Sequence, residues 1–155
     1  MRIVFPLLLL TAACTAKETA VISNSPPSIA EARFADTLAI DLAEFQRSET
    51  GLYWKDISIG EGAVVAAGQR VSAHYEGFLP DGSSFDHSRQ RGPIQFAVSP
   101  GSVIDGWVEG VTGMRVGGTR QLIIPPALGY GEAGAGDVIP PNATLIFTVE
   151  VVGAQ

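Results

Sequence analysis

Residues 71–77 read Val71-Ser72-Ala73-His74-Tyr75-Glu76-Gly77, and this stretch indicates the fold class of the chain. Apolar or aromatic residues alternate with polar ones, so one face of a strand carries positions 71, 73 and 75. Strands are also predicted at 52–59, 94–98, 119–124 and 143–152, and one brief helix at 103–111. Many short strands with a single short helix predict an α+β domain built on an antiparallel sheet.

The composition favours turns and short strands over a helical bundle. The chain has 155 residues, of which 18 are glycine and 10 are proline, and about 100 C-terminal residues suit one domain. The net charge is −6, from 16 acidic and 10 basic residues. The bases are scattered, which argues against nucleic acid as a partner. Two histidines, one cysteine and scattered acids predict no metal site.

Residues 1–14 have the pattern of an export signal peptide. Arg2 gives a positive start, residues 3–10 are almost wholly apolar, and small residues occupy 11–13 ahead of Cys14. The apolar run is too short to span a bilayer. The small residues before the only cysteine resemble a bacterial lipobox, which implies a lipidated Cys14 and an exported, periplasmic protein held at a membrane. Thr15 after the cysteine fits the outer membrane. The alternative is an ordinary signal peptide cut near position 13, with the cysteine incidental.

Residues 15–50 are predicted to form a tether followed by a short helix. Positions 15–27 have few apolar anchors. Ser28 and Glu31 have capping-box spacing at the start of a helix predicted over 28–49. An apolar stripe with helical spacing follows at Phe34, Leu38, Leu42 and Phe45. This stripe either packs on its own domain or supports self-association, and the sequence leaves both open. The main domain is then 51–155.

Aromatic residues recur in fixed local settings around one acid, Asp86. An apolar cup with a few polar tips suits a proline-sized ligand, because rings pack against it while hydroxyl or backbone N–H groups bind a carbonyl. No strong nucleophile, metal cluster or phosphate-binding loop accompanies these residues in the sequence. The residues of this set are Tyr75, Phe85, Asp86, Arg91, Phe96, Val103, Ile104, Trp107, Tyr130, Ile139 and Phe147.

The order and spacing of these residues, across roughly 51–152, resembles the FKBP family of macrolide-binding peptidyl-prolyl cis-trans isomerases. The resemblance implies a curved antiparallel β-sheet, or half-barrel, wrapped around one short α-helix. It also implies an enzyme that needs no cofactor and accelerates rotation about X–Pro bonds during the folding of exported proteins. The expected partners are proline-containing peptide segments and macrolide inhibitors. A non-catalytic chaperone that binds peptides in the same pocket is the alternative.

The resemblance also assigns roles to individual residues. Trp107 is expected at the pocket floor, and the Tyr130 hydroxyl and Ile104 backbone N–H are expected to bind a substrate carbonyl. Asp86, paired with Arg91 and Tyr75, is expected to shape the field of the pocket without transferring a proton. The predicted catalytic residues are Tyr75, Asp86, Ile104, Trp107 and Tyr130. The predicted substrate-binding residues are Phe85, Arg91, Ile94, Phe96, Val103, Ile139 and Phe147.

By pattern alone, the aromatic residues could equally be plain core, and Asp86 a turn acid. The chain also departs from better-known members of the family at two positions. Ile94 stands where an aromatic wall residue is common, and Ala135 stands where some relatives have histidine. These two changes are expected to alter macrolide affinity and sequence preference more than isomerase activity.

Overall fold

Seven strands form one antiparallel sheet in the computed structural model, which describes residues 28–155. One α-helix, α1, is found in this part of the chain, at Asp105–Val111. The strands are β1 (Gln46–Arg47), β2 (Tyr53–Ser58), β3 (Arg70–Phe78), β4 (Ser84–His87), β5 (Ile94–Ala97), β6 (Thr119–Ile124) and β7 (Leu145–Ala154).

The sheet has the order β1-β2-β6-β7-β3-β4, and β5 also pairs with β3. One edge of β3 pairs with β7 along most of its length. The other edge is shared: β5 pairs with residues 70–73 and β4 with residues 76–78. The two residues between these partners, His74 and Tyr75, therefore lie at a break in the ladder.

Helix α1 lies against the sheet through two glycines one turn apart. A Cβ atom on Gly106 would lie 2.5 Å from Cγ2 of Ile124, and one on Gly110 would lie 2.6 Å from Cδ1 of Leu122. The absence of both side chains lets the helix backbone approach β6 closely, with Trp107 buried in the core. The predicted fold class, a curved antiparallel sheet with one short helix, is confirmed.

The alternation predicted for the last strand is also observed. Four of its residues share the core face and are buried, namely Leu145, Phe147, Val149 and Val151. Ile146, between the first two, belongs to a second apolar cluster with Ile123 of β6. The sheet therefore buries apolar side chains on both faces, and something must cover the face opposite the helix.

The cover is the segment 28–45, and the helix predicted over 28–49 is wrong. Ser28 and Glu31 do bond to each other, but they bound a single turn of 3-10 helix, Ile29–Glu31. Two further 3-10 turns follow at Asp36–Leu38 and Leu42–Glu44, separated by Ala39 at a φ of 48°. A left-handed residue interrupts a right-handed helix, so the chain crosses the sheet in an irregular path.

The apolar stripe packs on its own domain, as one of the two sequence alternatives proposed. Leu38 is buried beside Ile123 and Ile146, and the other stripe residues, Phe34, Leu42 and Phe45, contact the same cluster. Residues 28–50 therefore belong to the folded domain, and the predicted boundary at 51 lies too late in the chain. The predicted signal peptide, Cys14 and the tether over 15–27 lie outside the described residues. In the described part, no helix is long and apolar enough to cross a bilayer.

Candidate active site

A cavity of about 270 Å³ opens between β3, β4, β7 and the start of α1. Nine of the twelve predicted site residues line it, together with one residue that the sequence did not indicate, Ser102. The lining residues are Tyr75, Phe85, Asp86, Ile94, Ser102, Val103, Ile104, Trp107, Tyr130 and Phe147. The cavity is thus large enough for a prolyl ring and is mostly apolar.

Trp107 lies at the centre of the aromatic lining. Its ring contacts three others edge to face, with centroid distances of 5.2 Å to Tyr75 and 5.3 Å to both Phe147 and Phe96. Such edge-to-face contacts are favoured by the ring quadrupoles and hold each ring in one orientation. Trp107 is only 4% exposed, although it reaches the cavity wall. This packing agrees with the prediction that Trp107 forms the floor of the pocket, because its ring is held in one orientation.

Gly77 makes room for two of the walls. It lies opposite Phe147 in the β3–β7 register. A Cβ atom on Gly77 would lie 2.6 Å from Cζ of Phe85 and 2.8 Å from Cε1 of Phe147. The two rings meet edge to face over this glycine, at a centroid distance of 5.5 Å. Even a methyl group at position 77 would displace them.

The polar part of the cavity is built around the Asp86 carboxylate. The Tyr75 hydroxyl donates to Oδ2, the Arg91 guanidinium donates to Oδ1, and the backbone N–H of His87 also donates to Oδ1 at 2.9 Å. Arg91 Nη2 further contacts the Tyr75 hydroxyl at 3.4 Å and donates to the His87 carbonyl at 2.9 Å. The partners predicted for Asp86 are therefore those observed.

These contacts fix the protonation states of the site at neutral pH. Burial, with the hydrogen bond to the Asp86 carboxylate, raises the pKa of Tyr75 to about 12. Burial would raise the pKa of Asp86, but hydrogen bonds from Tyr75 and Arg91 and the charge of Arg91 outweigh it, so the pKa is lowered. The phenol is therefore protonated and the carboxyl ionised. Neither group has a pKa suited to proton transfer near pH 7.

Two groups at the cavity rim can meet a carbonyl oxygen. Tyr130, 41% exposed, immediately precedes the 3-10 turn Gly131–Ala133. Ile104 is the N-cap of α1, and its carbonyl accepts the N–H of Trp107 at 2.9 Å. The backbone N–H of Ile104 itself has no acceptor among residues 28–155. Both residues line the cavity, and each carries a donor group with which a ligand could form a hydrogen bond.

Comparisons with known proteins agree with this geometry. A sequence profile of the FKBP-type peptidyl-prolyl cis-trans isomerases matches residues 62–152, more than half of the chain. The chain belongs to the FKBP-type peptidyl-prolyl cis-trans isomerase family. The family and the enzyme class predicted from the sequence are confirmed.

Individual relatives of this FKBP-type chain come from eukaryotes and bacteria. FK506-binding protein 2 of Yarrowia lipolytica is 58% identical over 86 residues, which are 55% of this chain and 60% of the relative. FK506-binding protein 1 of Dictyostelium discoideum is 50% identical over 97 residues, 62% of this chain and 91% of the relative. The crystal structure of FkpA from Escherichia coli superposes with a TM-score of 0.68 at 37% identity, covering 77% of this chain and 55% of that one.

Three predicted substrate-binding residues of this FKBP-type domain lie outside the cavity lining. Phe96 is 6% exposed and packs against Trp107, so it is a core residue in contact with a lining residue. Ile139 is 7% exposed, and its carbonyl accepts the N–H of Ala135 at 2.9 Å, which closes the loop after Tyr130. Arg91, largely exposed, acts on the site through Asp86.

Ser102, missed by the sequence reasoning, enters the lining because it directly precedes Val103 and Ile104. Its hydroxyl lies 3.0 Å from that of Ser99. The sequence signal that could have indicated Ser102 was its position next to two predicted lining residues. Among residues 28–155, no three His, Cys, Asp or Glu side chains form a group that could hold a metal ion.

Proposed function

We propose that this protein catalyses cis–trans isomerisation of X–Pro bonds and needs no covalent intermediate. The observation that carries the proposal is the cavity itself: an aromatic hollow of prolyl size whose one acid is held ionised by Tyr75 and Arg91. Such a site offers no general acid, yet it suits a reaction that breaks only amide resonance.

The energetic requirement is modest. An X–Pro amide exchanges over tens to hundreds of seconds without a catalyst, because rotation must disrupt amide resonance, with a barrier of about 18–20 kcal/mol. The twisted amide has a less polar carbonyl and a more pyramidal nitrogen. A dry cavity that binds this form better than either planar isomer by about 5–6 kcal/mol would accelerate rotation roughly 10⁴-fold over the uncatalysed reaction.

The roles of the lining residues follow from their positions. Trp107 packs against the prolyl ring, and the surrounding aromatic walls exclude water. The Ile104 N–H and the Tyr130 hydroxyl bind the substrate carbonyls. The ionised Asp86, which accepts hydrogen bonds from Tyr75 and Arg91, sets the electric field that acts on the amide as it twists. The cavity therefore needs no proton relay.

We also propose that the enzyme acts on proline-containing segments of exported proteins. The support comes from the sequence: the apolar start, the small residues at 11–13 and Cys14 resemble a bacterial lipoprotein signal. On this proposal the mature protein starts at a lipidated Cys14 and is anchored to the outer membrane on the periplasmic side. Mass spectrometry of the mature N-terminus tests it. A diacylglyceryl-modified cysteine supports the anchor, and cleavage that leaves an unmodified thiol contradicts it.

NMR exchange spectroscopy on a short X–Pro peptide tests the isomerase proposal. Exchange broadening of the cis and trans signals at substoichiometric protein is the expected result. Saturable binding without faster exchange would instead favour a chaperone that uses the same cavity. Cleavage of the peptide during long incubation would indicate a hydrolase and contradict both.

A further inference from the structure

The break in the ladder along β3 leaves one backbone donor in need of a partner. β5 ends its pairing at Ala73, and β4 begins its pairing at Glu76. The N–H of Tyr75 lies between them, in a part-buried position where an unpaired N–H would be destabilising. This donor belongs to the residue whose hydroxyl binds Asp86.

Ser88 supplies the missing partner. Its side chain is fully buried, and its Oγ accepts the Tyr75 N–H at 2.9 Å. Its own backbone N–H donates to the Tyr75 carbonyl at 3.0 Å. The hydroxyl also lies 3.0 Å from His74 Nδ1 and 3.5 Å from the Tyr75 carbonyl. Ser88 therefore holds both backbone polar groups of Tyr75.

The same residue also holds the loop that carries Arg91. The Ser88 carbonyl accepts the backbone N–H of Arg91 at 2.8 Å. Tyr75 and Arg91 are the two side chains that donate to the Asp86 carboxylate, and Asp86 is only two residues before Ser88. One buried serine thus contacts the backbone of both donors without reaching the cavity itself.

We propose that Ser88 is a positioning residue of the active site, whose hydroxyl fixes Tyr75 against Asp86. The proposal rests on the isomerase function proposed above. A side-chain acceptor is required because no backbone carbonyl of β4 or β5 pairs with the Tyr75 N–H. A residue without an acceptor at position 88 would leave this N–H unpaired. The strand would then relax, and the Tyr75 hydroxyl would lose its alignment with the carboxylate.

Two variants and one control separate positioning from mere stabilisation. Ser88→Ala removes the acceptor, whereas Ser88→Cys keeps a side chain of similar size with a weak sulfur acceptor. Ser84→Ala, at an exposed position of the same hairpin, is the matched control. The readouts are the pKa of Asp86, from NMR titration of its carboxyl carbon, and the separate kcat and Kd for an X–Pro peptide from exchange spectroscopy.

We expect the pKa of Asp86 in Ser88→Ala to rise toward its ordinary value, because it loses an aligned donor. We expect kcat to fall about fivefold to tenfold, with Kd changed by less than about twofold. Ser88→Cys should lie between Ser88→Ala and wild type, and Ser84→Ala should match wild type.

A lower melting temperature with unchanged Asp86 pKa and kcat would show a purely structural serine and overturn the proposal. If Ser88→Ala does not fold, the Asp86 pKa and the kcat of Ser88→Cys decide between a positioning and a purely structural role. If wild type does not accelerate exchange, the isomerase function fails, but the Asp86 titration still shows whether Ser88 positions Tyr75.

Discussion

Replacing Asp86 with asparagine tests whether the acid acts through its charge or through proton transfer. Asp86→Asn keeps the size of the side chain and an oxygen that can accept from Tyr75. It removes the charge and turns an NH₂ group toward the Arg91 guanidinium, where two donors then face each other. The change therefore weakens the polar cluster without removing the aromatic cavity.

The magnitude follows from the exposure of the pair. The Asp86 side chain is 42% exposed and that of Arg91 is 64% exposed, so solvent screens their attraction, and such pairs contribute only about 0–1 kcal/mol. The hydrogen bond from the less exposed Tyr75 is kept in the variant but loses its charged acceptor, which adds a similar amount. We expect kcat/KM to fall about tenfold, equivalent to about 1.4 kcal/mol. Loss of a general acid or base would cost about 10²–10⁴-fold.

The assay is NMR exchange of an X–Pro peptide as a function of pH. Because the pKa of Asp86 is lowered in the folded protein, its ionised form stabilises the fold above the unfolded pKa of about 3.9. That contribution is lost as the pH falls through the folded pKa. Wild-type activity should therefore be flat between about pH 5 and 8 and decline only in acid.

The variant should lack this acidic decline, and neither protein should show a solvent deuterium isotope effect beyond that of the medium. Loss of more than about a hundredfold in activity with a native NMR spectrum would refute a purely electrostatic role for Asp86. A bell-shaped pH profile in wild type, with a limb near neutral pH, would refute it as well.

Three further substitutions test the packing of the cavity and of the N-terminal segment on the sheet. Gly77→Ala should displace the Phe85 and Phe147 rings, cost about 1–3 kcal/mol in denaturant unfolding and lower isomerase activity; an unchanged unfolding midpoint and rate would contradict the close approach. Leu38→Ala should cost about 2–3 kcal/mol in the same assay and leave kcat/KM unchanged, since Leu38 lies on the face opposite the helix; no loss of stability would show that the N-terminal segment does not cover the sheet. The sequence resemblance implies macrolide binding, and on that expectation Ile94→Phe should strengthen the binding of a macrolide inhibitor about twofold to tenfold in calorimetry by adding ring contacts; equal affinity in both proteins would show that position 94 does not limit macrolide binding.

The site was largely predictable from sequence because the order and spacing of its residues resemble those of the FKBP family. The alternation around Tyr75 predicted that residues 71, 73 and 75 share one face of β3, whereas the place of Trp107 at the pocket floor came from the family resemblance and not from spacing. Nine predicted residues consequently meet in one cavity. Phe96 and Ile139 are aromatic or apolar residues next to that cavity, and sequence spacing could not separate its lining from the layer behind it.

The N-terminal segment was mispredicted because two different structures satisfy its apolar pattern. Phe34, Leu38 and Leu42 have helical spacing, but they also reach the same cluster from consecutive irregular turns. Helix propensity is weak beside the gain from covering Ile123 and Ile146. A single sequence does not reveal that the outer face of the sheet is apolar enough to require a cover.

Ser88 was missed for a different reason. Its importance arises from the gap between β4 and β5, and the positions of strand ends are the least predictable feature of a sequence. In the sequence it is one of several serines near Asp86. Only the register of β3 shows that the Tyr75 N–H needs a side-chain acceptor.

Two tryptophan variants, compared by NMR exchange on the same X–Pro peptide, test whether the aromatic floor lowers the barrier to rotation. Trp107 lines the cavity, whereas Trp54 packs against the core away from it. If the aromatic floor stabilises the twisted amide, Trp107→Leu should slow catalysed exchange at least about tenfold, equivalent to about 1.4 kcal/mol, while Trp54→Leu stays close to wild type. Equal exchange rates in wild type and a folded Trp107→Leu variant would contradict the account.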